Sequence, residues 1–381
     1  MKLIKYVLSV CLLSMYGMQL SAAVALNSLD KVYHHKGRLS DKVACYFSKD
    51  QLCNHIPDKA NEMQEGKQML RFFFPLAVIG SAECKQMVCQ LNDARNENYS
   101  LRIESVTKPI KGLSLIVEYD PQKLGFEYET FTSIQKQPGV VFKFYHKDTL
   151  KEINEKTGAL QQYAMNKKVH VVIDNGHGGE DEGKVGCFNI KEKDINLSVG
   201  MKVAQLLRNQ GYVVSLTRNI DRFVALEERT GFANNVAQAD LFVSIHSNGA
   251  PSASAQGIET FCSQQSLFNR GFAKNIDALT MNKIKTVEAK RYEKSHVLAD
   301  HIHGQTLAIA RTQNEKVPDR KVKNAISQVL LGTDMPCALI EIGFLSNEQE
   351  ARLLNSQDYQ KLIAQGICNG IVAYVKRHTV A

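Results

Sequence analysis

The fold is decided by the stretch VHVVIDNGHGG at residues 169–179. Residues 169–174 have the pattern of a buried β-strand, and the glycines after them predict a tight loop. An apolar repeat of helical spacing follows at residues 195–206, with Gly211 as its stop signal and Asp194 where an N-cap belongs. The sequence therefore predicts a strand, a loop and a helix in succession.

The same alternation of strand and helix continues to the end of the chain. Further strands are predicted at residues 213–217, 241–246, 257–262 and 338–342, and further helices at residues 225–238 and 359–375. Such an order is typical of an α/β domain with a mixed, mostly parallel sheet and helices on both faces. We expect this domain to span residues 169–381, with an inserted segment at 264–295.

The first half of the chain has a different residue pattern. Segments rich in β-branched and aromatic residues, separated by turn-like breaks, lie at residues 68–74, 100–106, 113–119 and 140–145. They predict a smaller β-rich domain over residues 24–147. Residues 148–168 are polar and charged and are expected to form a linker.

The first 23 residues have the layout of a secretory signal peptide. Lys2 and Lys5 give a positive start, an apolar run extends over residues 6–20, and small residues occupy positions 21–23. The run is short for a membrane span. We therefore expect an exported protein of the periplasm or cell envelope, with no stable span after signal removal. A signal anchor is the alternative.

Charge and cysteine content narrow the class of protein. The net charge of +8 is spread along the chain without a dense Lys/Arg block, which argues against nucleic acid as a partner. Eight of the nine cysteines follow the predicted signal peptide. The pairs close enough in sequence to be disulfide candidates are Cys45 with Cys53 and Cys84 with Cys89. Buried free thiols are the alternative, because sequence does not determine the pairing.

Polar side chains lie where the predicted strands end. His177 lies in the loop after the first strand, His246 ends the third, and Glu341 lies in the last. Glu192 lies just before the first helix, which begins at the same edge. Because open α/β sheets bind ligands beyond the carboxyl ends of their strands, we expect these four side chains to converge.

Two neutral imidazoles and one carboxylate are a known ligand set for catalytic zinc, with the fourth position left for water. Such a metal polarises a carbonyl and acidifies the water, and a second carboxylate must carry the proton to the leaving group. From the residues alone, either Glu192 or Glu341 can be the ligand and the other the base. Taken singly, each candidate has a plainer interpretation as a turn residue, a structural hydrogen bond or a solvated charge. Their convergence favours a site.

Nucleotide binding by the glycine-rich loop is disfavoured. The loop lacks the Gly-Lys-Ser/Thr ending of a P-loop and the spacing of a dinucleotide fingerprint, and its acidic residues 180–182 would repel phosphate. The HExxH motif of another class of zinc protease is absent as well. The pattern therefore favours a metal-dependent hydrolase.

At these residues the sequence resembles the zinc-dependent N-acetylmuramoyl-L-alanine amidases of bacterial cell walls. The matching segments are VVIDNGHGG at 171–179, KEKDINL at 191–197, VVSLTRNID at 213–221, ADLFVSIHSNGA at 239–250, GIETF at 257–261 and MPCALIEIGFLSN at 335–347. They run in family order across the whole second half, and together they are highly specific. The chain departs from many members at Asn175 and Cys337, where proline and alanine are common.

The resemblance implies a substrate, a cofactor and a site. Peptidoglycan would be cut at the amide between N-acetylmuramic acid and L-alanine, for cell-wall remodelling or daughter-cell separation. One Zn²⁺ would be held by His177, Glu192 and His246, and Glu341 would activate the attacking water. Residues in or near the matching segments that would shape the site are Ser247, Asn248 and Arg229 as substrate-binding candidates, and Asp174, which would orient a zinc ligand or help the loop to turn.

Two further expectations rest on the resemblance. Some members carry an insert whose helix covers the zinc until a partner displaces it, and segment 264–295 could be such a lid, with Glu288 or Glu293 as the carboxylate that would cap the metal. A peripheral helix pair is the alternative. The β-rich half faintly resembles the domain that localises exported amidases, and would bind peptidoglycan or an envelope activator protein.

Two other functions compete with the amidase. One is a catalytically silent protein that binds peptidoglycan or regulates its enzymes, against which the intact set of candidate residues argues. The other is a zinc carboxypeptidase that acts on stem peptides, which would release a different fragment.

Overall fold

The computed structural model describes residues 27–37, 40–48, 60–64, 66–75, 77–79, 85–86, 88, 98–106, 112–133, 137–148, 168–264, 268–274 and 276–379. The expected signal peptide, most of the expected linker, and Cys53, Cys84 and Cys89 lie outside these residues. Among the described helices, none is both long and apolar enough to cross a membrane.

The first half of the chain forms β-sheets, as its residue pattern predicts. Its strands are β1 (Asn27–His35), β2 (Ser40–Phe47), β3 (Ala60–Gln64), β4 (Lys67–Pro75), β5 (Ala77–Ile79), β6 (Tyr99–Val106), β7 (Gly112–Tyr119), β8 (Leu124–Thr132) and β9 (Pro138–His146). One sheet has the order β3-β4-β7-β6, and the other contains β8-β9-β2-β1-β5. Aromatic side chains from both sheets share one core, in which the rings of Tyr99 and Phe144 stack at 4.3 Å.

The second half alternates strands and helices. Its elements are β10 (His170–Asn175), α1 (Glu192–Asn209), β11 (Val213–Leu216), α2 (Leu226–Gly231), β12 (Leu241–Asn248), β13 (Ile258–Cys262), β14 (Phe268–Lys274), α3 (Ala278–Gln313), β15 (Asp319–Asn324), α4 (Gln328–Gly332), β16 (Cys337–Phe344), α5 (Glu348–Leu354) and α6 (Gln357–Thr379). The sheet order is β11-β10-β12-β16-β13-β15. Strands β11, β10, β12 and β16 are parallel, and β13 runs antiparallel to β16. The predicted mixed, mostly parallel α/β fold is confirmed.

The two faces of this sheet are covered by different helices. Along β10, Val171 and Ile173 pack into the core formed with α1, α3 and α6. Val172 points to the opposite face and packs with residues next to α2 and within α4. This alternation follows from the two-residue repeat of a strand, so a continuous apolar run is buried on both faces.

Two predicted helix boundaries were wrong. Helix α1 begins at Glu192 rather than beyond Asp194, which lies inside its first turn. The N–H groups of Glu192 and Lys193 donate to loop carbonyls, so backbone of the preceding loop satisfies this helix start and no side-chain cap is needed. The helix predicted at 225–238 is α-helical only through α2 and continues as a π-helical turn at Phe232–Val236.

The inserted segment joins the two halves of the chain. Strand β14 pairs antiparallel with β8 and so extends the N-terminal sheet. The Glu288 carboxylate on α3 lies 2.9 Å from Nζ of Lys143 on β9. The expectation that Glu288 caps the metal is therefore wrong, because an interdomain ion pair occupies it. Glu293 is exposed on α3. These contacts are those of a joint between the halves and not of a lid.

Lys143 is the centre of this joint. Its ammonium lies 2.7 Å from Glu129, 2.9 Å from Glu288 and 4.0 Å from Glu127, and all four side chains are buried. Burying a charge is costly unless it is paired. Lys143 therefore compensates carboxylates that come from both halves of the chain, and Arg291 and Lys42 add positive charge near Glu288.

We predict that Lys143→Met lowers the free energy of unfolding by about 3–5 kcal/mol, because it leaves buried carboxylates without their cation. Urea denaturation of the full chain measures this loss. Lys361→Met is the matched control, since Lys361 pairs with Asp358 at the surface, and it should cost less than about 1 kcal/mol. Equal losses in the two variants would contradict a stabilising joint.

Candidate metal centre

The candidate residues come together at the carboxyl edge of the parallel strands. His246 on β12 lies directly opposite Glu341 on the neighbouring strand β16. His177 follows the end of β10 in the glycine-rich loop, and Glu192 is the first residue of α1. The four side chains predicted to converge are thus carried by four different elements that meet at one edge.

Three of these side chains form a tight cluster around one carboxylate oxygen. Oε1 of Glu192 lies 3.2 Å from Nε2 of His177 and 2.9 Å from Nδ1 of His246. One ligand atom from each residue lies within 4.8 Å of the other two. Glu192 is only 5% exposed, whereas the side chains of His177 and His246 are 24% and 18% exposed, so the cluster has a buried carboxylate and imidazoles that solvent can reach. This donor set and spacing suit a divalent metal.

The charges of the cluster suit the binding of a cation. Burial opposes ionisation of Glu192, but hydrogen bonds from His177 and His246 outweigh it and hold the pKa of that carboxyl well below its usual range. Burial also opposes protonation of His177, but hydrogen bonds to Asp181 and Glu192 raise its pKa to about 10. A metal would have to displace this proton, so its affinity should increase with pH.

Glycines allow the side chains to approach the loop closely. A Cβ atom on Gly176 would lie 2.4 Å from Nε2 of His246, and one on Gly183 would lie 2.6 Å from Cδ2 of His177. Gly183 also has a φ of 64°, which other residues adopt with strain. The glycine-rich loop therefore makes room for imidazoles rather than for phosphate.

Asp181 was not predicted as a site residue, yet it contacts one. Its Oδ2 lies 2.8 Å from Nδ1 of His177, and its Oδ1 accepts from the N–H of Gly183. Metal-binding histidines usually place a carboxylate or carbonyl on their outer nitrogen, which fixes the ring with the other nitrogen inward. The signal in the sequence is the four-residue spacing between His177 and Asp181. On its own, the negative charge of Asp181 indicates only repulsion of phosphate.

Ser247 supports Glu192 and does not reach the surface. Its N–H donates to Oε1 of Glu192 at 3.1 Å, and its hydroxyl donates to Oδ1 of Asn196 at 3.0 Å. Asn196, which was not predicted, donates to the same Glu192 oxygen at 3.2 Å. Ser247 is fully buried, so the expectation that it binds substrate is corrected. Asn248 is partly exposed and donates to Glu259 at 2.6 Å.

Arg229 is likewise buried and does not face substrate. It is 2% exposed, and its guanidinium donates to Asp174, to the carbonyls of Asn175 and His177, and to Val224. The expected contact with substrate is corrected to a clamp on the loop backbone. Arg218, also buried, donates to the carbonyls of residues 175 and 176 and shares this role.

Asp174 acts through this clamp. Its carboxylate accepts hydrogen bonds from Thr217, Ser244 and Arg229, all within 2.8 Å. Burial opposes ionisation of Asp174, but the charge and hydrogen bond of Arg229 outweigh it and lower its pKa. Asp174 therefore supports the turn of the loop through Arg229, and the structure records no direct contact between its carboxylate and a described imidazole.

Glu341 is not one of the three clustered residues, although it lies opposite His246 on the neighbouring strand. Its Oε2 atom is buried and has no hydrogen-bond partner among the described residues. Burial raises the pKa of Glu341 well above its usual range, and the negative charges of Glu192 and Glu259 raise it further. Glu341 as a whole is half-buried. An unpaired buried oxygen is costly, so the position of Oε2 on the strand next to that of His246 calls for a chemical reason.

Comparison with known proteins gives the class of the enzyme. A family model described as N-acetylmuramoyl-L-alanine amidase matches residues 171–373. The chain belongs to this family, which is a family of hydrolases that act on peptidoglycan and depend on zinc in general. The expectations of the family and of an enzyme are confirmed.

Individual relatives cover the same half of the chain. Uncharacterized protein YqiI of Bacillus subtilis (strain 168) is 38% identical over 204 residues, which are 54% of this chain and 84% of that protein. N-acetylmuramoyl-L-alanine amidase AmiA of Escherichia coli (strain K12) is 32% identical over 222 residues, 54% of this chain and 75% of AmiA. The catalytic domain of the amidase CwlV from Bacillus (Paenibacillus) polymyxa var. colistinus is 31% identical with a TM-score of 0.45, and 55% of this chain and 98% of that domain are covered.

We predict that Arg229→Met destabilises the protein, because the buried Asp174 loses its counter-charge and the loop that carries His177 loses its clamp. A cost of about 3–5 kcal/mol is expected, which should lower the thermal midpoint by roughly 5–15 °C. Calorimetry in the presence of a chelator measures this shift without a metal contribution. Arg222→Met is the control, since exposed Arg222 makes one hydrogen bond to Thr217. A shift no larger than in the control would rule out the clamp.

Proposed function

We propose that this chain is a zinc-dependent N-acetylmuramoyl-L-alanine amidase in which His177, Glu192 and His246 hold one zinc ion and Glu341 is the general base. The observation that carries the proposal is the cluster of three ligand atoms within 4.8 Å of one another. Beside it lies the buried Oε2 of Glu341, for which no partner is recorded among the described residues. Two imidazoles and one carboxylate suit zinc better than magnesium or calcium, which prefer oxygen ligands.

The residues around the cluster suit a bound zinc ion. His177 and His246 already place a nitrogen each on the same Glu192 oxygen, and Asp181 and Asn196 hold His177 and Glu192 from behind. When bound, zinc supplies Lewis acidity, which lowers the pKa of a water molecule and polarises the scissile carbonyl. Neutral imidazoles are required, so His177 must give up its proton before the site is loaded.

Glu341 supplies the proton transfer. Glu341 must be ionised to accept a proton from the attacking water. Burial and the neighbouring carboxylates raise its pKa, which makes the ionised form a stronger base, and the charge of a bound metal would favour that ionised form. Glu341 then delivers the proton to the nitrogen of L-alanine as the amide bond breaks, so that the peptide leaves as a neutral amine. His246 lies opposite Glu341 in the sheet register, so base and metal ligand are held by adjacent strands.

The proposed biological role follows from the expected substrate and from the expected export of the protein. The substrate would be the amide between the lactyl group of N-acetylmuramic acid and L-alanine, cleaved for wall remodelling or daughter-cell separation. The positive start, apolar run and small residues of positions 1–23 support export to the periplasm or envelope. The β-rich half, residues 24–147, would bind peptidoglycan or an envelope partner next to the catalytic half. Its firm attachment through Lys143 and β14 supports a fixed placement.

The test is digestion of purified peptidoglycan by the protein without residues 1–23. Mass spectrometry should find released stem peptides with L-alanine at the amino terminus, and a chelator should abolish their release until zinc is restored. Free D-alanine as the product would show a carboxypeptidase instead. Bound zinc without any release would favour a silent wall-binding protein.

Glu341→Gln tests the base in the same digest. It should bind zinc as well as the parent and release peptides roughly 10²–10⁴ times more slowly, because proton transfer is lost. Glu293→Gln is the matched control, since this exposed glutamate on α3 lies two residues from Ser295, which contacts Cys337 at the end of β16 opposite to the candidate site, and its rate should be unchanged. Full activity of Glu341→Gln would contradict the mechanism.

A further inference from the structure

A row of side chains crosses the sheet from the metal candidates to its far edge. His246 on β12 lies opposite Glu341 on β16, and Glu341 lies opposite Glu259 on β13. Directly opposite residues on neighbouring strands point to the same face of a sheet. Glu259 therefore lies on the same face as the base, one strand further from the metal candidates.

Glu259 is buried, and two cations of the edge strand β15 bind it. It is 4% exposed. Its Oε2 accepts from Nε of Arg320 at 2.9 Å and from Nζ of Lys323, while its Oε1 accepts from Asn248. One cation is enough to neutralise one carboxylate, so Glu259, Arg320 and Lys323 together carry one net positive charge, with the carboxyl of Glu341 next to them on β16.

A β-bulge places both cations on one carboxylate. The register between β13 and β15 shifts between Ile258 and Thr260, so that Glu259 faces more than one residue of β15. Residues three apart in a regular strand point to opposite faces, but Lys321 has a φ of 72° and reverses this alternation. A left-handed conformation is strained in a non-glycine residue. Bulges of this kind re-aim side chains next to active sites.

The two cations remain accessible. The Arg320 side chain is 35% exposed and that of Lys323 is 41% exposed. Among the described residues, Arg320 hydrogen-bonds through Nε, and no bond is recorded from its terminal nitrogens. Its guanidinium lies 4.7 Å above the ring of Phe344, at the carboxyl end of β16. The nearby carboxyl of Glu350 accepts from two backbone N–H groups instead, and burial raises its pKa.

We propose that Arg320 and Lys323, held by Glu259, form a subsite for a free carboxylate of the stem peptide that is being cleaved. This inference rests on the proposed amidase function and adds a specificity determinant to it. Neighbouring strands lie about 4.8 Å apart, so β15 is roughly 10 Å from Glu341. An extended peptide covers this distance in about two to three residues. The α-carboxylate of the second stem residue, D-glutamate, or a carboxylate on the third residue is therefore within reach.

The test is a competition within one digest. Peptidoglycan with D-glutamate at the second stem position is mixed with an equal amount in which that residue is D-isoglutamine, whose carboxylate is replaced by an amide. A second mixture pairs diaminopimelate with lysine at the third position. The ratio of released peptides, measured by mass spectrometry, does not depend on how much of the enzyme is folded.

The parent enzyme should favour the carboxylate-bearing peptide in one of the two mixtures by at least about tenfold, as a charge-assisted hydrogen bond provides. The mixture that shows the preference identifies which residue is bound. The double variant Arg320→Gln, Lys323→Gln should bring that ratio close to one. Lys321→Gln should preserve the ratio, since Lys321 is 76% exposed and pairs with Asp319.

Two results would overturn the subsite. One is equal release of both peptides by the parent enzyme in both mixtures, which leaves the amidase function intact. The other is a loss of preference in Lys321→Gln as large as in the double variant, which would show a general effect of charge. Release of no peptide at all would contradict the amidase function, and the subsite with it.

Discussion

The structure around the active edge depends on one buried carboxylate. Oε1 of Glu192 receives His177, His246, the N–H of Ser247 and the amide of Asn196. These groups come from the loop after β10, from β12 and from α1 itself. A single oxygen can satisfy so many partners only as an anion. The fold thus gathers two imidazoles at one carboxylate, where a metal could take the place of an imidazole proton, while the N–H of Ser247 and the amide of Asn196 continue to hold the carboxylate.

The surrounding network explains why this arrangement is stiff. Arg218 and Arg229 lie under the loop and donate to the carbonyls of residues 175–177. His177 has a φ of 61°, a conformation that persists in a non-glycine residue only when its surroundings hold it. These two buried arginines, each of which donates four hydrogen bonds, supply that restraint. The candidate metal ligands are therefore positioned by the interior of the protein.

Much of this could be predicted from the sequence, because strand ends are visible as breaks in an apolar pattern. The meeting of His177, His246 and Glu341 followed from that rule, because the carboxyl ends of parallel strands lie at one edge of the sheet. What could not be predicted was burial. Ser247 and Arg229 lie in the right segments, but whether such side chains face substrate or the interior depends on neighbours distant in sequence. The pairing of β14 with the N-terminal sheet is equally non-local, since the residues of β14 do not by themselves indicate β8 as the paired strand.

The central claim is that Glu192 is a metal ligand while Glu341 stays free to move protons. Anomalous diffraction at the zinc absorption edge, from crystals of the zinc-loaded protein, tests this directly. We expect one strong peak in contact with His177, Glu192 and His246, and the carboxylate of Glu341 outside its coordination sphere. A zinc peak in contact with Glu341 in place of Glu192, or a zinc peak at other residues, would contradict the account.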